Sequence, residues 1–270
     1  MNPETSILPT DKRFVFIGGL HRSGTSLVHE ILKAHPEVSG FTNTGAPEDE
    51  GQHLQSVYAP SSAHGTFGTF GFDPDAHLTE ESPLATPQSA TLLWGQWSRY
   101  WDLSRPVLIE KSPPNLIRSR FLQTLFPGAR FLMILRHPMV VTLAIRKWAK
   151  RQSLTSLLSH WFACHELMLL DARRLGSVQV VYYEALRDDP ERVLAEIASF
   201  LNLPGQLDAS AFDVRYDKRY REMWASMNRG LRGPYARYIV RRFDDQARDF
   251  GYSMADLDSL EENALKISIG

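Results

Sequence analysis

Short apolar runs alternate with amphipathic stretches along this chain, and together they predict strands separated by helices. Runs of β-branched, aromatic and aliphatic residues are typical of strands buried on both faces. These runs occupy residues 14–17, 38–41, 107–109, 131–135 and 178–182. Helical spacing of apolar residues predicts helices over residues 26–32, 115–126, 138–151, 154–175 and 191–201. The alternation predicts an α/β fold in three layers, with a central parallel sheet and helices on both faces.

The first strand runs into a glycine-rich turn that opens the first helix. Gly19 and Gly24 have the spacing of the phosphate-binding pattern G-x-x-x-x-G-K-[ST], but Thr25 stands in the lysine position. Arg22 supplies a cation three residues earlier. Backbone N–H groups at the start of such a helix favour a bound phosphate. Losing the lysine argues against transfer of a γ-phosphate, so the turn predicts another phosphate-bearing donor.

The remaining segments suggest how one domain of residues 1–270 is organised around a core at residues 13–203. Residues 42–85 are rich in Gly and Pro and predict a long loop or lid on the acceptor side. A helix that begins at Thr86-Pro87 follows this loop. Residues 211–252 are basic and aromatic, and they predict a C-terminal segment that is partly helical.

Composition narrows the class of protein. The 270 residues are 43% hydrophobic and carry a net charge of −1, so broad affinity for nucleic acid is not expected. No apolar run approaches the ~20 residues of a membrane span. The N-terminal residues lack the pattern of a signal peptide, and Cys164 is the only cysteine, which together predict a cytoplasmic protein.

Charge is distributed unevenly. Residues 34–98 contain no Lys or Arg but eight acidic residues, whereas residues 99–151 contain eleven Lys and Arg against Asp102 and Glu110. This asymmetry predicts one face suited to a polyanion and an acidic wall beside it. Several of the basic residues follow strand ends, where ligands bind in parallel α/β sheets. Lys111 ends the strand at 107–109, and Arg136 ends the strand at 131–135.

Taken together, these motifs resemble the P-loop sulfotransferases that use 3′-phosphoadenosine-5′-phosphosulfate (PAPS). The resemblance lies in residues 19–27 (GLHRSGTSL), 110–115 (EKSPPN), 135–138 (LRHP) and 181–184 (VYYE), and their order and spacing match the family. It is nearer to the tyrosylprotein and bacterial members than to the cytosolic drug-metabolising ones. The resemblance implies the P-loop fold and PAPS as co-substrate.

The same resemblance assigns donor-binding residues. It places the 5′-phosphosulfate on the loop formed by Arg22, Ser23, Gly24, Thr25 and Ser26. It places Arg136 on the 3′-phosphate and Tyr183 beside the nucleotide. The family usually has a second contact to the 3′-phosphate from a serine at the position of Ala144, so Thr142 or Lys147 is expected to replace it.

For the chemistry, Lys111 is assigned to the bridging oxygen of the leaving group. No metal is expected, because Arg and Lys meet the charge of the donor. The tyrosylprotein members carry a glutamate base where this chain has Thr42 and Asn43. Glu48, Glu50 and His53 are therefore the alternatives for the base, and an acidic loop that only shapes the acceptor site is a fourth interpretation.

Two other functions remain open from the sequence. One is a phosphotransferase that uses ATP and magnesium, and the other is a nucleotide-binding protein without catalysis. The acidic, aromatic segment argues against a polyanionic acceptor. A small-molecule, sugar or lipid hydroxyl is therefore the expected acceptor, with a peptide tyrosine second. The oligomeric state is open.

Overall fold

The computed structural model describes residues 8–65, 67–211 and 215–265, in which five parallel strands form one sheet. The strands are β1 (Arg13–Gly18), β2 (Val38–Gly40), β3 (Val107–Lys111), β4 (Arg130–Leu135) and β5 (Val178–Tyr182). Their order across the sheet is β2-β3-β1-β4-β5. This order puts the end of β1 between the ends of β3 and β4, which carry Lys111 and Arg136 respectively.

Helices pack around this sheet and complete the three-layer P-loop architecture. In the described part of the chain they are α1 (Thr25–Lys33), α2 (Pro87–Trp97), α3 (Ser119–Leu125), α4 (Pro138–Ile145), α5 (Leu154–Ala172), α6 (Tyr183–Asp188), α7 (Pro190–Leu201), α8 (Arg215–Arg229) and α9 (Gly233–Asp249). The α/β fold with a central parallel sheet, expected from the alternating pattern, is confirmed. Among the residues described, no helix combines the length and apolar character needed to cross a bilayer.

The core lies against both faces of the sheet. The side chains of β3 and of residues 131–135 in β4 are buried, as continuous apolar strands require. Trp97 and Trp101 are buried beside Phe14 of β1 and Phe41, which follows β2, with ring centroids 4.9–6.3 Å apart for the packed pairs. Each such aromatic side chain contributes about 1.5–3 kcal/mol by burial, so these residues hold α2 against the strands.

Two helices differ from the sequence prediction. The stretch after β3 begins as a 3-10 helix over Pro113–Ile117, and α3 starts only at Ser119. Pro113 and Pro114 lack N–H groups, so neither residue can donate the backbone hydrogen bond of an α-helix. The prediction for residues 138–151 is wrong at its end, because α4 stops at Ile145. Every residue of α4 is buried, and the charged residues that follow lie in an exposed turn.

Residues 42–85, called here the lid segment, contain several short 3-10 turns in the part that the structure describes. The described part of the segment packs on α5: Phe70 is fully buried, and the Gly71 N–H donates to His160 Nε2 at 3.0 Å. In the C-terminal segment, α8 and α9 are helical, and residues 212–214 lie outside the described residues.

Candidate active site

The loop between β1 and α1 is shaped by positive backbone angles. Gly24 has φ = 103°, and Arg22, a residue type that rarely adopts such values, has φ = 73°. A Cβ atom added to Gly24 would lie 2.6 Å from Cδ2 of Tyr183, so the loop backs directly onto that ring. Glycine is required at residue 24 because both the angle and the contact exclude a larger residue.

The loop presents the features of an anion site. No side chain caps α1 at Gly24, so its first N–H groups are available to a ligand. Ser23 is buried, and its Oγ has no hydrogen-bond partner among the described residues. Thr25 is buried and Ser26 is exposed at the start of the helix. A buried, unpaired hydroxyl is costly in a finished structure, which favours a ligand at this loop.

Arg136, at the end of β4, joins the loop to the start of α6. Its Nη1 donates to the Arg22 carbonyl oxygen at 2.9 Å. Its guanidinium carbon lies 4.0 Å from the centroid of the Tyr183 ring, a cation–π distance. The structure therefore brings together the loop, Arg136 and Tyr183, the three parts to which the sequence assigned the nucleotide.

Lys111, at the end of β3, is the second cation beside the loop. It pairs in register with Ile17 of β1, two residues before Gly19. Its side chain is 1% exposed, and Nζ donates to the Glu48 carbonyl oxygen at 2.8 Å. Nζ also lies 3.4 Å from Oε1 of Glu50. A buried ammonium needs such partners, and they hold it at the edge of the sheet where β1 ends.

The three candidate bases take different positions around Lys111. Glu50 is buried: Gln52 donates to its Oε2 at 2.6 Å, and His53 Nε2 lies 3.8 Å from the same oxygen. Burial raises the pKa of the Glu50 carboxyl, more than the nearby Lys111 ammonium and the Gln52 amide lower it. The Glu48 side chain is exposed, and this residue reaches Lys111 only through its backbone carbonyl.

Glu110 and Trp97 position Glu50 beside Lys111 by binding the backbone of the next residue, Gly51. Glu110 Oε1 accepts the Gly51 N–H at 2.9 Å, and the Trp97 indole donates to the Gly51 carbonyl at 3.0 Å. A Cβ atom at residue 51 would lie 2.5 Å from Glu110 Oε1, so only glycine allows this contact. Ser112 and Asn115 donate to the same carboxylate. Glu110 is thus a structural anchor for the lid segment.

Replacing Glu110 with Gln is expected to change how stability depends on pH. Burial raises the pKa of Glu110 to about 6, above its ordinary 4.5. Because this pKa is raised, the contribution of Glu110 to the free energy of unfolding is fully present below pH 4.5. About 2 kcal/mol of that free energy is lost as the pH rises through 6. Denaturant unfolding at pH 4 to 7 measures this as a wild-type free energy that falls relative to the Glu110→Gln variant. A constant difference between the two proteins would contradict the prediction.

The replacement for the second 3′-phosphate contact stays a prediction. Ala144 and Thr142 are both buried in α4, and Thr142 Oγ1 has no hydrogen-bond partner among the described residues. Lys147 is exposed, and its Nζ lies 4.0 Å from the Trp148 ring centroid. The exposed turn after α4 is basic throughout, as the sequence suggested for one face. Its charged residues are Arg146, Lys147, Lys150 and Arg151.

The structure adds contacts that the sequence analysis did not assign. Trp148 is 47% exposed. Its ring centroid lies 5.6 Å from the guanidinium carbon of Arg22 and 5.7 Å from the ring centroid of Phe67. Gln52, which donates a hydrogen bond to Glu50, lies between the candidates Glu50 and His53 in the sequence. Its side chain is uncharged, so the sequence pattern offered no reason to select it. His21 lies inside the phosphate-binding loop itself, and its position in that motif was the signal available for it. Over the described ranges, no group of three or more metal-ligating side chains is assembled.

Comparisons with known proteins identify the family of this chain. Residues 15–208 match the model of the sulfotransferase family. Protein-tyrosine sulfotransferase 2 of Gallus gallus is 28% identical over 202 residues, covering 70% of this chain and 51% of the relative. Protein-tyrosine sulfotransferase A of Caenorhabditis elegans is 26% identical over 204 residues, covering 71% and 50% respectively. The chain therefore spans about half the length of these curated relatives.

Among solved structures, a sulfotransferase from Alicyclobacillus acidocaldarius superposes with a TM-score of 0.49 and 18% identity. The superposition covers 88% of this chain and 96% of that one. The family match extends over most of the chain, from β1 through α7, and includes the phosphate-binding loop, Lys111, Arg136 and Tyr183. On the evidence of the family match the chain belongs to the sulfotransferase family, and the curated relatives reported above are protein-tyrosine sulfotransferases.

Proposed function

We propose that this protein transfers a sulfuryl group from PAPS to an acceptor hydroxyl. The observation that carries the proposal is the placement of Lys111 and Arg136 at the ends of β3 and β4, on either side of the loop after β1. An anion on this loop meets a cation from each neighbouring strand. The lysine-free loop favours a donor whose γ-phosphate is not transferred, which distinguishes PAPS from ATP.

In the proposed complex, the donor extends from the loop toward α6. The loop at residues 22–26 holds the 5′-phosphosulfate through N–H groups at the start of α1, while the Ser23 N–H donates to the Leu20 carbonyl at 2.9 Å. Arg136 holds the 3′-phosphate. Tyr183, already packed on Gly24 and Arg136, supports the nucleotide. The exposed basic turn after α4 supplies further charge for a donor with about four negative charges at neutral pH.

The proposed reaction is an in-line displacement at sulfur. The acceptor oxygen forms a bond to sulfur while the bond between sulfur and the bridging phosphate oxygen breaks. Lys111 stabilises the charge that develops on that bridging oxygen, and 3′,5′-adenosine bisphosphate leaves. The hydroxyl proton passes to a protein base, so that atoms and charge balance. The chain's own cations neutralise the leaving group in this proposal, and no metal takes part.

Among the three candidates, the geometry favours Glu50 as the base. An effective base has a pKa near the working pH, and burial raises that of Glu50 in this direction. Glu50 also lies beside Lys111, at the edge of the sheet where β1 ends. His53, 3.8 Å from Glu50, is placed to relay or share the proton. Glu48, with its exposed side chain, is the least favoured.

Replacing Glu50 with Gln is expected to lower kcat/KM by about 10²–10⁴-fold, the usual range for loss of a general base. In the wild type, kcat/KM is expected to fall as the pH drops through the raised pKa of Glu50, because the base is then protonated. The variant loses this acidic limb. Rates measured between pH 4.5 and 8 check both effects, with Glu191→Gln on the exposed face of α7 as the matched control. An acidic limb that persists in Glu50→Gln but vanishes in His53→Gln would transfer the role to His53.

The relatives bear on the acceptor. They are named protein-tyrosine sulfotransferases, which supports a peptide tyrosine as an acceptor to test alongside the sugar, lipid and other small hydroxyl compounds predicted from the sequence. Phe67 and Trp148 form an exposed aromatic rim beside Arg22. Such a rim suits an acceptor that presents an apolar or aromatic surface next to its hydroxyl.

Transfer of the labelled sulfuryl group from PAPS to a panel of acceptors tests the proposal. The panel includes tyrosine peptides, neutral sugars, sterols and phenols, and the buffer contains a metal chelator. Transfer to at least one acceptor under these conditions is the expected result. Transfer that occurs only from ATP with magnesium would support the phosphotransferase alternative, and binding of PAPS without transfer to any acceptor would support a non-catalytic nucleotide-binding protein.

A further inference from the structure

His21 is a residue of the phosphate-binding loop whose side chain contacts the lid segment. It follows Leu20 and precedes Arg22, and its ring meets the edge of Phe67 at 4.6 Å and that of Phe70 at 6.1 Å between centroids. The side chain therefore turns away from β1 and toward the lid segment. This is the side on which the acceptor is expected, since Glu50 and His53 belong to the same segment of the chain.

The imidazole has no structural task among its neighbours. Neither ring nitrogen makes a hydrogen bond to a residue that the structure describes, and Nδ1 is fully enclosed. Several other buried histidines use one ring nitrogen: His137 Nδ1 accepts the Met139 N–H, and His160 Nε2 accepts the Gly71 N–H, although His160 Nδ1 has no partner among the described residues. Nδ1 of His21 is enclosed without a donor or an acceptor, whereas Nε2 is not enclosed, so Nε2 is the nitrogen that can reach a ligand, as a donor in the tautomer that carries the proton there.

The surroundings keep this imidazole neutral. Burial is the main cause that lowers the pKa of His21 to about 3. Electrostatic repulsion from His160 of α5, Lys111 of β3 and His53 of the lid segment lowers it further. None of these three groups is an acid. At neutral pH the ring therefore offers one N–H donor and no charge.

We propose that His21 is a catalytic residue of the sulfuryl transfer, donating a hydrogen bond from Nε2 to an oxygen of the transferring sulfuryl group. This inference rests on the proposed function. A base with so low a pKa would take a proton poorly, so the donor role suits the residue better than the base role. A neutral donor also orients the sulfuryl group without binding the ground state as tightly as a cation would, which leaves more stabilisation for the transition state.

The proposed contact involves the sulfuryl group alone, which gives a discriminating comparison of two ligands. PAPS carries this group, whereas the product 3′,5′-adenosine bisphosphate does not. Replacing His21 with Phe keeps an aromatic ring against Phe67 and Phe70 but removes the N–H. Replacing it with Gln keeps an N–H donor at a similar distance from the backbone. Both variants are measured by calorimetry with each ligand and by transfer kinetics.

The expected results follow from the loss or retention of one hydrogen bond. His21→Phe is expected to bind PAPS about 5-fold more weakly, to bind 3′,5′-adenosine bisphosphate as the wild type does, and to lose about 10–100-fold in kcat. His21→Gln is expected to recover most of this loss. If His21→Phe retains full kcat and PAPS affinity, the residue only packs and the inference is overturned.

Two other outcomes also overturn it, in different ways. If His21→Gln is as impaired as His21→Phe while both bind the bisphosphate normally, His21 acts otherwise than as a donor. If the wild type binds neither PAPS nor the bisphosphate, the proposed function itself fails and this inference fails with it. Unchanged unfolding midpoints in both variants exclude a general loss of structure as the cause.

Discussion

Replacing Lys111 with Met is expected to lower kcat about 10³-fold while leaving affinity for 3′,5′-adenosine bisphosphate within about tenfold of wild type. Methionine retains an unbranched apolar stem of similar length but removes the ammonium that neutralises the leaving group. Lys111 is buried next to Glu50, so its charge acts at low dielectric and contributes strongly to the transition state. Steady-state transfer rates and calorimetry on the same preparations give the two quantities.

Loss of Lys111 also leaves the Glu50 carboxylate buried without its cation. Breaking such a pair costs about 3–5 kcal/mol of stability, so unfolding midpoints measured on the same preparations separate a loss of catalysis from a loss of folding. Lys218→Met is the matched control, because that lysine is 81% exposed on α8. A Lys111→Met protein that is folded and turns over within tenfold of wild type would remove Lys111 from the mechanism.

Replacing Arg136 with Ala is expected to weaken binding of 3′,5′-adenosine bisphosphate by about 100-fold, equivalent to ~2.7 kcal/mol. The substitution removes the guanidinium, and with it the expected bond to the phosphate, the hydrogen bond to the Arg22 carbonyl and the contact with the Tyr183 ring. Arg136→Lys keeps the charge but lacks the planar fork, and it is expected to recover only part of the affinity. Calorimetric titration without magnesium measures each variant.

The matched control for Arg136 is Arg99→Ala, which removes an exposed arginine that follows α2 and donates to the Gly95 carbonyl near the end of that helix. Its affinity is expected to equal that of the wild type. An Arg136→Ala protein that binds the bisphosphate and adenosine 5′-monophosphate with unchanged affinities would show that Arg136 does not contact the 3′-phosphate.

The sheet and the phosphate-binding loop could be predicted from the sequence because their signals are local. A continuous apolar run identifies a buried parallel strand, and glycine at residue 24 meets a backbone angle that other residues rarely adopt. The rule that strand ends meet at one edge of the sheet placed Lys111 and Arg136 beside this loop. The structure has both cations there.

The helix ends could be predicted less well, because tertiary burial decides them. The sequence continues with good helix formers after Ile145, yet α4 stops where burial ends and a charged, exposed turn begins. Propensity alone carries no information about this boundary. The same holds for the 3-10 helix at Pro113–Ile117, whose geometry depends on the contacts of Asn115 with β1 and Glu110.

The base could not be singled out from the sequence for a related reason. Glu48, Glu50 and His53 are close along the chain, and composition gives no preference among them. What separates them is the anchor formed by Glu110 and Trp97 around Gly51. Trp97 is 46 positions from Gly51 along the chain, and Glu110 is 59 positions away. These contacts bury Glu50 and leave the Glu48 side chain exposed.

The central claim is that the loop after β1, together with Arg136 and Tyr183, binds a nucleotide with a 3′-phosphate and a 5′-phosphosulfate. Calorimetric titration of the wild type with 3′,5′-adenosine bisphosphate in a metal chelator tests it most directly. The account predicts one site with a Kd of about 10 μM or below, and affinity at least tenfold weaker for adenosine 5′-monophosphate. Absence of binding, or preference for ATP with magnesium over the bisphosphate, would contradict it.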